Sequence, residues 1–100
     1  MQLVLLTGDP LFRTAVTGLA GALGHEVASG ELAGADVTIC DAGTVDFAAL
    51  AGQLDPLRTL VFLPSGAARM PPAAMLSAFP HVAARTALAA ELPRLLALLG

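Results

Sequence analysis

The stretch Leu3–Arg13, LVLLTGDPLFR, decides the fold. Gln2–Thr7 reads as a buried strand, continuous in apolar residues as strands of a parallel sheet are. Asp9 and Pro10 then supply a helix start, with Asp at the N-cap and Pro at the first helical position. Leu11, Phe12, Ala15, Val16, Leu19, Ala20 and Leu23 follow at helical spacing and form a core-facing stripe. Gly24 closes the helix. A strand running into a helix through a tight polar turn is half of a βαβ unit.

The same alternation continues along the chain. His25–Ala28 reads as a second strand, Asp36–Cys40 as a third ending at Asp41, and Asp46–Leu54 as a short helix. Arg58–Leu63 is a fourth strand. Pro71 and Pro72 begin a brief helix that stops before Pro80, and His81–Ala84 is a fifth strand. Leu88, Leu92, Leu95, Leu96 and Leu99 line a final helix, in which Pro93 is expected only within the first turn. Strands alternating with helices throughout predict a single α/β domain with a doubly wound, flavodoxin-like parallel sheet of about five strands in the order 2-1-3-4-5. Working residues of such sheets sit beyond the carboxyl ends of the strands. Those ends carry Thr7-Gly8-Asp9, Asp41, Pro64-Ser65 and Arg85.

Composition bounds the function. Hydrophobic residues make up 56% of the 100-residue chain and charged residues 13%, which excludes disorder. A net charge of −3, with five arginines and no lysine, argues against nucleic-acid binding. No apolar run approaches the roughly 18 residues of a membrane span, and no secretory signal is expected at the N-terminus. Cys40 is the single cysteine, so no internal disulfide forms and a cytoplasmic location is expected. Cys40 itself reads as a buried small hydrophobe. His25 and His81 start separate strands with no second ligand at metal spacing, and no P-loop, G-x-G-x-x-G or nucleophile elbow is present. Phe12, Phe47, Phe62 and Phe79 fall on core faces.

Three segments carry a family likeness: LVLLTGDPLFR, DVTICD at 36–41 and HVAARTALAAEL at 81–92. In this order, at five-strand spacing, the frame resembles the receiver domain of bacterial two-component response regulators over nearly the whole chain. The resemblance implies that Asp41 stands at the phosphoacceptor position. It places the family's Mg²⁺-binding acidic pair on Thr7 and Gly8, its signalling Ser/Thr on Pro64 or the neighbouring Ser65, and its Lys on Arg85. Asp41 and a cation are thus kept, while the metal-binding pair is lost.

That loss has a chemical consequence. Bringing a phosphoryl group to a carboxylate joins anions, and Mg²⁺ offsets their repulsion. Mg²⁺ is usually held by one or two carboxylates with water and phosphate oxygens. Asp41 alone is a poor site, and Asp9, two residues past the strand, reads first as the helix cap. Asp41 is either an inherited cleft carboxylate or a turn former. Arg85 is either a solvated surface residue or the cation that neutralises Asp41 bidentately. The expectation is therefore a non-catalytic signalling module, a pseudo-receiver with no cofactor, acting through protein contact. One alternative is a flavodoxin-like domain binding a small anionic ligand at the strand-1/helix-1 loop. Another is a phosphorylation-competent receiver using Asp41, with Asp9 and Mg²⁺.

Receivers place a full helix between strands two and three, whereas here only Gly30–Ala35, GELAGA, separates Ser29 from Asp36. Such a segment reaches about 20–25 Å at most, enough to recross a short strand but not to lay down a helix. Strand two is then vestigial, linked by an extended loop, or antiparallel. Apolar surface near Val4, Leu6, Val27 and Val37 is expected to lose its cover and to be buried by a second copy in a homodimer. The alternative dimer surface is the face that receivers build from the fourth helix, fifth strand and fifth helix.

Overall fold

The structure, a computed structural model, describes residues 2–28, 35–64 and 71–99. Five strands, β1 (Gln2–Leu6), β2 (Glu26–Ala28), β3 (Val37–Asp41), β4 (Thr59–Leu63) and β5 (Val82–Ala84), form one sheet in the order β2-β1-β3-β4-β5. Every neighbouring pair is parallel. The fold is α/β and flavodoxin-like. The helices are α1 (Pro10–Ala22), α2 (Phe47–Leu50), α3 (Ala73–Leu76) and α4 (Leu88–Leu99). None of the described helices is long and apolar enough to cross a membrane.

Alternation along the strands builds two cores. Leu3 and Leu5 of β1, Val37 and Ile39 of β3, and Leu60 and Phe62 of β4 meet Phe12, Val16 and Ala20 of α1 and Leu88, Leu92, Leu95 and Leu96 of α4. Fully burying each such side chain contributes about 1.5–3 kcal/mol, which makes this the stabilising layer. On the opposite face Cys40 and Val61 meet Ala42, Phe47, Leu54 and Phe79, with the Phe47 and Phe79 rings edge to face at 5.1 Å. Burial, and secondarily the charge of Asp41, pushes the Cys40 thiol up to about 12, so it stays neutral.

β2 is short and parallel, which rules out the antiparallel arrangement; its register pairs Leu3 with Val27. Most of the GELAGA segment, Gly30–Gly34, lies outside the described residues. The expected uncovered patch does not form. Val27 and Val37 both sit beside Leu3 in the register and belong to the α1/α4 core, whereas Val4 and Leu6, one residue out of phase, face the other side. Val4 is 2% exposed and Val37 fully buried, so neither is available to a second copy.

Several boundaries differ for local reasons. β3 begins at Val37, one residue after Asp36, which meets Gln2 twice: its N–H donates to the Gln2 carbonyl at 2.8 Å and its carboxylate accepts the Gln2 N–H at 2.7 Å. Asp46 does not enter α2 but caps it, accepting from the Ala49 N–H, and the α-helix gives way to a 3₁₀ turn over Ala51–Gln53. Arg58 lies in a 3₁₀ turn (Pro56–Arg58) before β4, and its Nη1 donates to the Leu99 carbonyl at 2.7 Å. That places a cation at the negative end of α4. Pro72 precedes α3 as its cap. Pro93 departs most from expectation: α4 begins at Leu88, so the proline lies beyond the first turn. The buried leucines on both sides of Pro93 hold the helix through the break.

Candidate functional site

The carboxyl ends of β1, β3 and β5 bring Thr7, Asp9, Asp41 and Arg85 together. Asp41 ends β3 and is fully buried. Its Oδ2 accepts two hydrogen bonds, from Thr7 Oγ1 and from Thr44 Oγ1, each at 2.8 Å. A hydroxyl has one proton to give, so the 3.2 Å approach of the two threonine oxygens carries no bond when both protons point at the carboxylate. Each hydroxyl also accepts: Thr7 Oγ1 from the Asp9 N–H at 3.0 Å, and Thr44 Oγ1 from the Gly8 N–H at 2.9 Å. Backbone, hydroxyl and carboxylate thus form two parallel relays that fix the Thr7–Asp9 loop over Asp41.

Arg85, in the 3₁₀ turn Arg85–Ala87 that links β5 to α4, lies between the two carboxylates. Its Nη2 bonds Asp9 Oδ2 at 2.5 Å, its Nε stands 3.5 Å from Asp41 Oδ1, and its Cζ lies 4.7 Å from the centre of the Phe12 ring. Neither of the two readings of Arg85, a solvated surface residue or a bidentate grip on Asp41, describes it: the side chain is a bridge, with one arm on each carboxylate. Asp41 Oδ1 is buried and, among the described residues, accepts no hydrogen bond. Arg85 and Asp9 are each about a quarter exposed, so the bridge is the outer wall of the cleft.

Asp9 does two things at once. Oδ1 caps α1 by accepting the Leu11 N–H at 2.9 Å, while Oδ2 holds Arg85. The Arg85 hydrogen bond first, and the Leu11 N–H second, hold the Asp9 carboxyl below its ordinary value of 3.8. A carboxyl depressed on folding stabilises the fold above its unfolded pKa, and that contribution is lost as pH falls through the lower folded value. Asn caps helices as well as Asp does, so Asp9→Asn isolates the charge. Chemical denaturation across pH should show wild type above Asp9→Asn in stability from pH 3.8 upward, with the gap closing at more acidic pH.

Two other positions expected in the cleft differ. Pro64 is buried, has no hydroxyl, and leans on Gly43: a Cβ built on Gly43 would lie 2.7 Å from the Pro64 Cβ. Ser65 lies outside the described residues. Gly43→Ala should cost about 1–3 kcal/mol by overpacking, read as a lowered urea midpoint at unchanged m. Gly8 is less tightly placed, at 3.3 Å from the Thr44 carbonyl oxygen for a built Cβ.

Thr44 and the second role of Phe12 were missed by sequence reasoning. The spacing Asp41-x-x-Thr44 is the available signal for Thr44, since a hydroxyl three residues after a strand-end Asp can fold back onto it. Phe12 is a core residue as expected, edge to face with Phe62 at 5.8 Å, but its ring also receives the guanidinium. Asp9 and Asp41 are the carboxylates that would have to hold a metal here, and Arg85 occupies the space between them. Among the described residues no group of three or more His, Cys, Asp or Glu side chains is placed to hold one.

No protein family, curated protein or solved structure matches the chain. The chemistry of the cleft therefore rests on its own atoms: an anion pair bridged by an internal cation, backed by two hydroxyls. A cavity of about 160 Å³ near Val45, Phe47 and Pro71 is lined by none of the cleft side chains.

Proposed function

We propose that the chain is a non-catalytic regulatory domain of the response-regulator receiver type, in which contact with another protein has replaced phosphorylation. The observation that supports this reading is the placement of Arg85 between Asp9 and Asp41. A tethered guanidinium neutralises these carboxylates but offers no open coordination position to an incoming phosphoryl oxygen, which a divalent ion would. Asp41 Oδ2 is already committed to two hydroxyls, and its Oδ1 is sealed from solvent. The anionic-ligand reading has less in its favour, because the Asp9 carboxylate already occupies the α1 N-terminus.

Self-association is the simplest form of the proposed contact, through α3, β5 and α4, whose exposed residues include Ala73, Ala74, Ala84, Ala89 and Ala90. A cytoplasmic setting suits the buried, unpaired Cys40. The deciding experiment is titration with Mg²⁺ and fluoroberyllate, and with acetyl phosphate, followed by intact mass and amide NMR. The expected result is no adduct and no shift around Asp41. An acid-labile phosphate on Asp41 or an ordered fluoroberyllate there overturns the reading. Sedimentation velocity over a wide concentration range tests self-association, and a strict monomer removes it.

A further inference from the structure

We infer that Asp9, Asp41 and Phe12 form a guanidinium-binding site that the chain fills with its own Arg85, and that the external ligand it takes is an arginine side chain presented by a partner protein. This deepens the proposed function, resting on its view that the cleft holds an organic cation rather than a metal.

The geometry separates a guanidinium from other cations. Two different N–H groups of one planar ion face two carboxylates, Nη2 at Asp9 Oδ2 and Nε at Asp41 Oδ1, while the ion lies over an aromatic ring. An ammonium is a compact, strongly hydrated point charge and lacks this planar fork, and a metal ion gains nothing comparable from the ring. The receiving groups are also fixed in advance. Thr7 and Thr44 hold the Asp41 carboxylate from behind, and the Leu11 N–H holds Asp9.

Arg85 fits this site incompletely. Two carboxylates face one cation, and the fully buried Asp41 has an oxygen aimed at the guanidinium that accepts no hydrogen bond among the described residues. A buried carboxylate oxygen left without a donor is costly, and the donor nearest to it stops 3.5 Å away. Arg85 is tied to the β5–α4 junction and is drawn to Asp9. An arginine entering from solvent, along the path where Arg85 and Asp9 are themselves exposed, displaces Arg85 and so uncovers the sealed Asp41 Oδ1; free of that tether, it can engage both carboxylates. Arg85 competes with it at high effective concentration, so the wild type responds weakly and a variant lacking Arg85 responds strongly.

The test is thermal unfolding of Arg85→Ala with guanidinium ion at low, non-denaturing concentration, against methylammonium and Mg²⁺ at matched ionic strength. Guanidinium should raise the melting temperature of the variant saturably and that of wild type far less. Methylammonium should be about tenfold weaker, and Asp9→Asn in the same background should weaken guanidinium by a similar factor. Equal or better stabilisation by Mg²⁺ makes the cleft a metal site and overturns the proposal, as does no response to guanidinium. If Arg85→Ala does not fold, the wild type decides: N-acetyl-arginine amide should shift the Arg85 Nε–Hε resonance and leave those of Arg13, Arg58 and Arg94 unmoved, and an unmoved Arg85 signal overturns it. The two readings fail separately. A fluoroberyllate adduct on wild type removes the proposed function, whereas absent guanidinium rescue without such an adduct removes only this inference.

Discussion

Replacing Arg85 by methionine should lower stability by about 3 kcal/mol, and replacing Asp41 by asparagine in the same chain should recover more than half of that loss. Asp41 is fully buried, and Arg85 is the cation that faces it. Removing one partner of a buried pair leaves the other charge uncompensated and typically costs 3–5 kcal/mol. The quarter exposure of Arg85 places the effect at the low end. Methionine keeps most of the packing against Phe12, so the cost reports the charge rather than a hole. Asparagine removes the charge that Arg85 was balancing while keeping an oxygen for the Thr7 and Thr44 hydroxyls. The measurement is a double-mutant cycle by urea unfolding, with a fall in melting temperature of roughly 15 °C for Arg85→Met. Additive single and double effects would mean that the guanidinium and Asp41 do not sense each other, and the account of the cleft would fail with that result.

The parts of this fold that could be foreseen share a cause. The apolar runs Leu3–Leu6, Val37–Cys40 and Leu60–Leu63 are buried on both faces, so sequence and burial carry the same pattern. Asp9-Pro10 is a local signal for a helix start and behaves as one. The direction of β2 was not legible, because Glu26–Ala28 is too short to show a pattern and the link that follows permits either sense. The expected apolar patch failed on register. A shift of one residue moves a side chain to the other face, and nothing local to Val4 or Val27 states which residue of β1 meets which residue of β2. Pairing Leu3 with both Val27 and Val37 puts those two out of phase with Val4.

The cleft divides in the same way. Thr7, Asp9, Asp41 and Arg85 were accessible because strand ends of a parallel sheet converge whatever the details. The distribution of contacts among them was not. Whether Arg85 takes Asp41 bidentately or bridges to Asp9 depends on where the turn after β5 releases the side chain, which no residue type announces. Thr44 enters only because the turn after β3 folds back beside Gly8, and that fold needs Gly43 free of a Cβ against Pro64. Side chains supplied by loops are set by such tertiary contacts, while side chains supplied by strand ends are set by topology.

Pro93→Ala should raise stability by about 2 kcal/mol. Proline inside a helix lacks the N–H that would bond the carbonyl four residues back, here Ala89, and its ring crowds that carbonyl, at a cost of about 3 kcal/mol. Part of that cost is returned because proline restricts the unfolded chain, a difference of about 0.4–1 kcal/mol that alanine forfeits. The helix survives because Leu88, Leu92, Leu95 and Leu96 are buried in the α1/α4 core, and losing them would forfeit several times the penalty of the proline. Ala89 is exposed, so the bond that proline cannot make falls on the solvent side of α4. Alanine adds the missing bond without touching a buried side chain, and the melting temperature should rise by roughly 8–16 °C. A variant no more stable than wild type would mean that α4 gains nothing from continuity at this point. The helix would then be held by its leucines alone, with Pro93 at an existing gap between two independently packed halves.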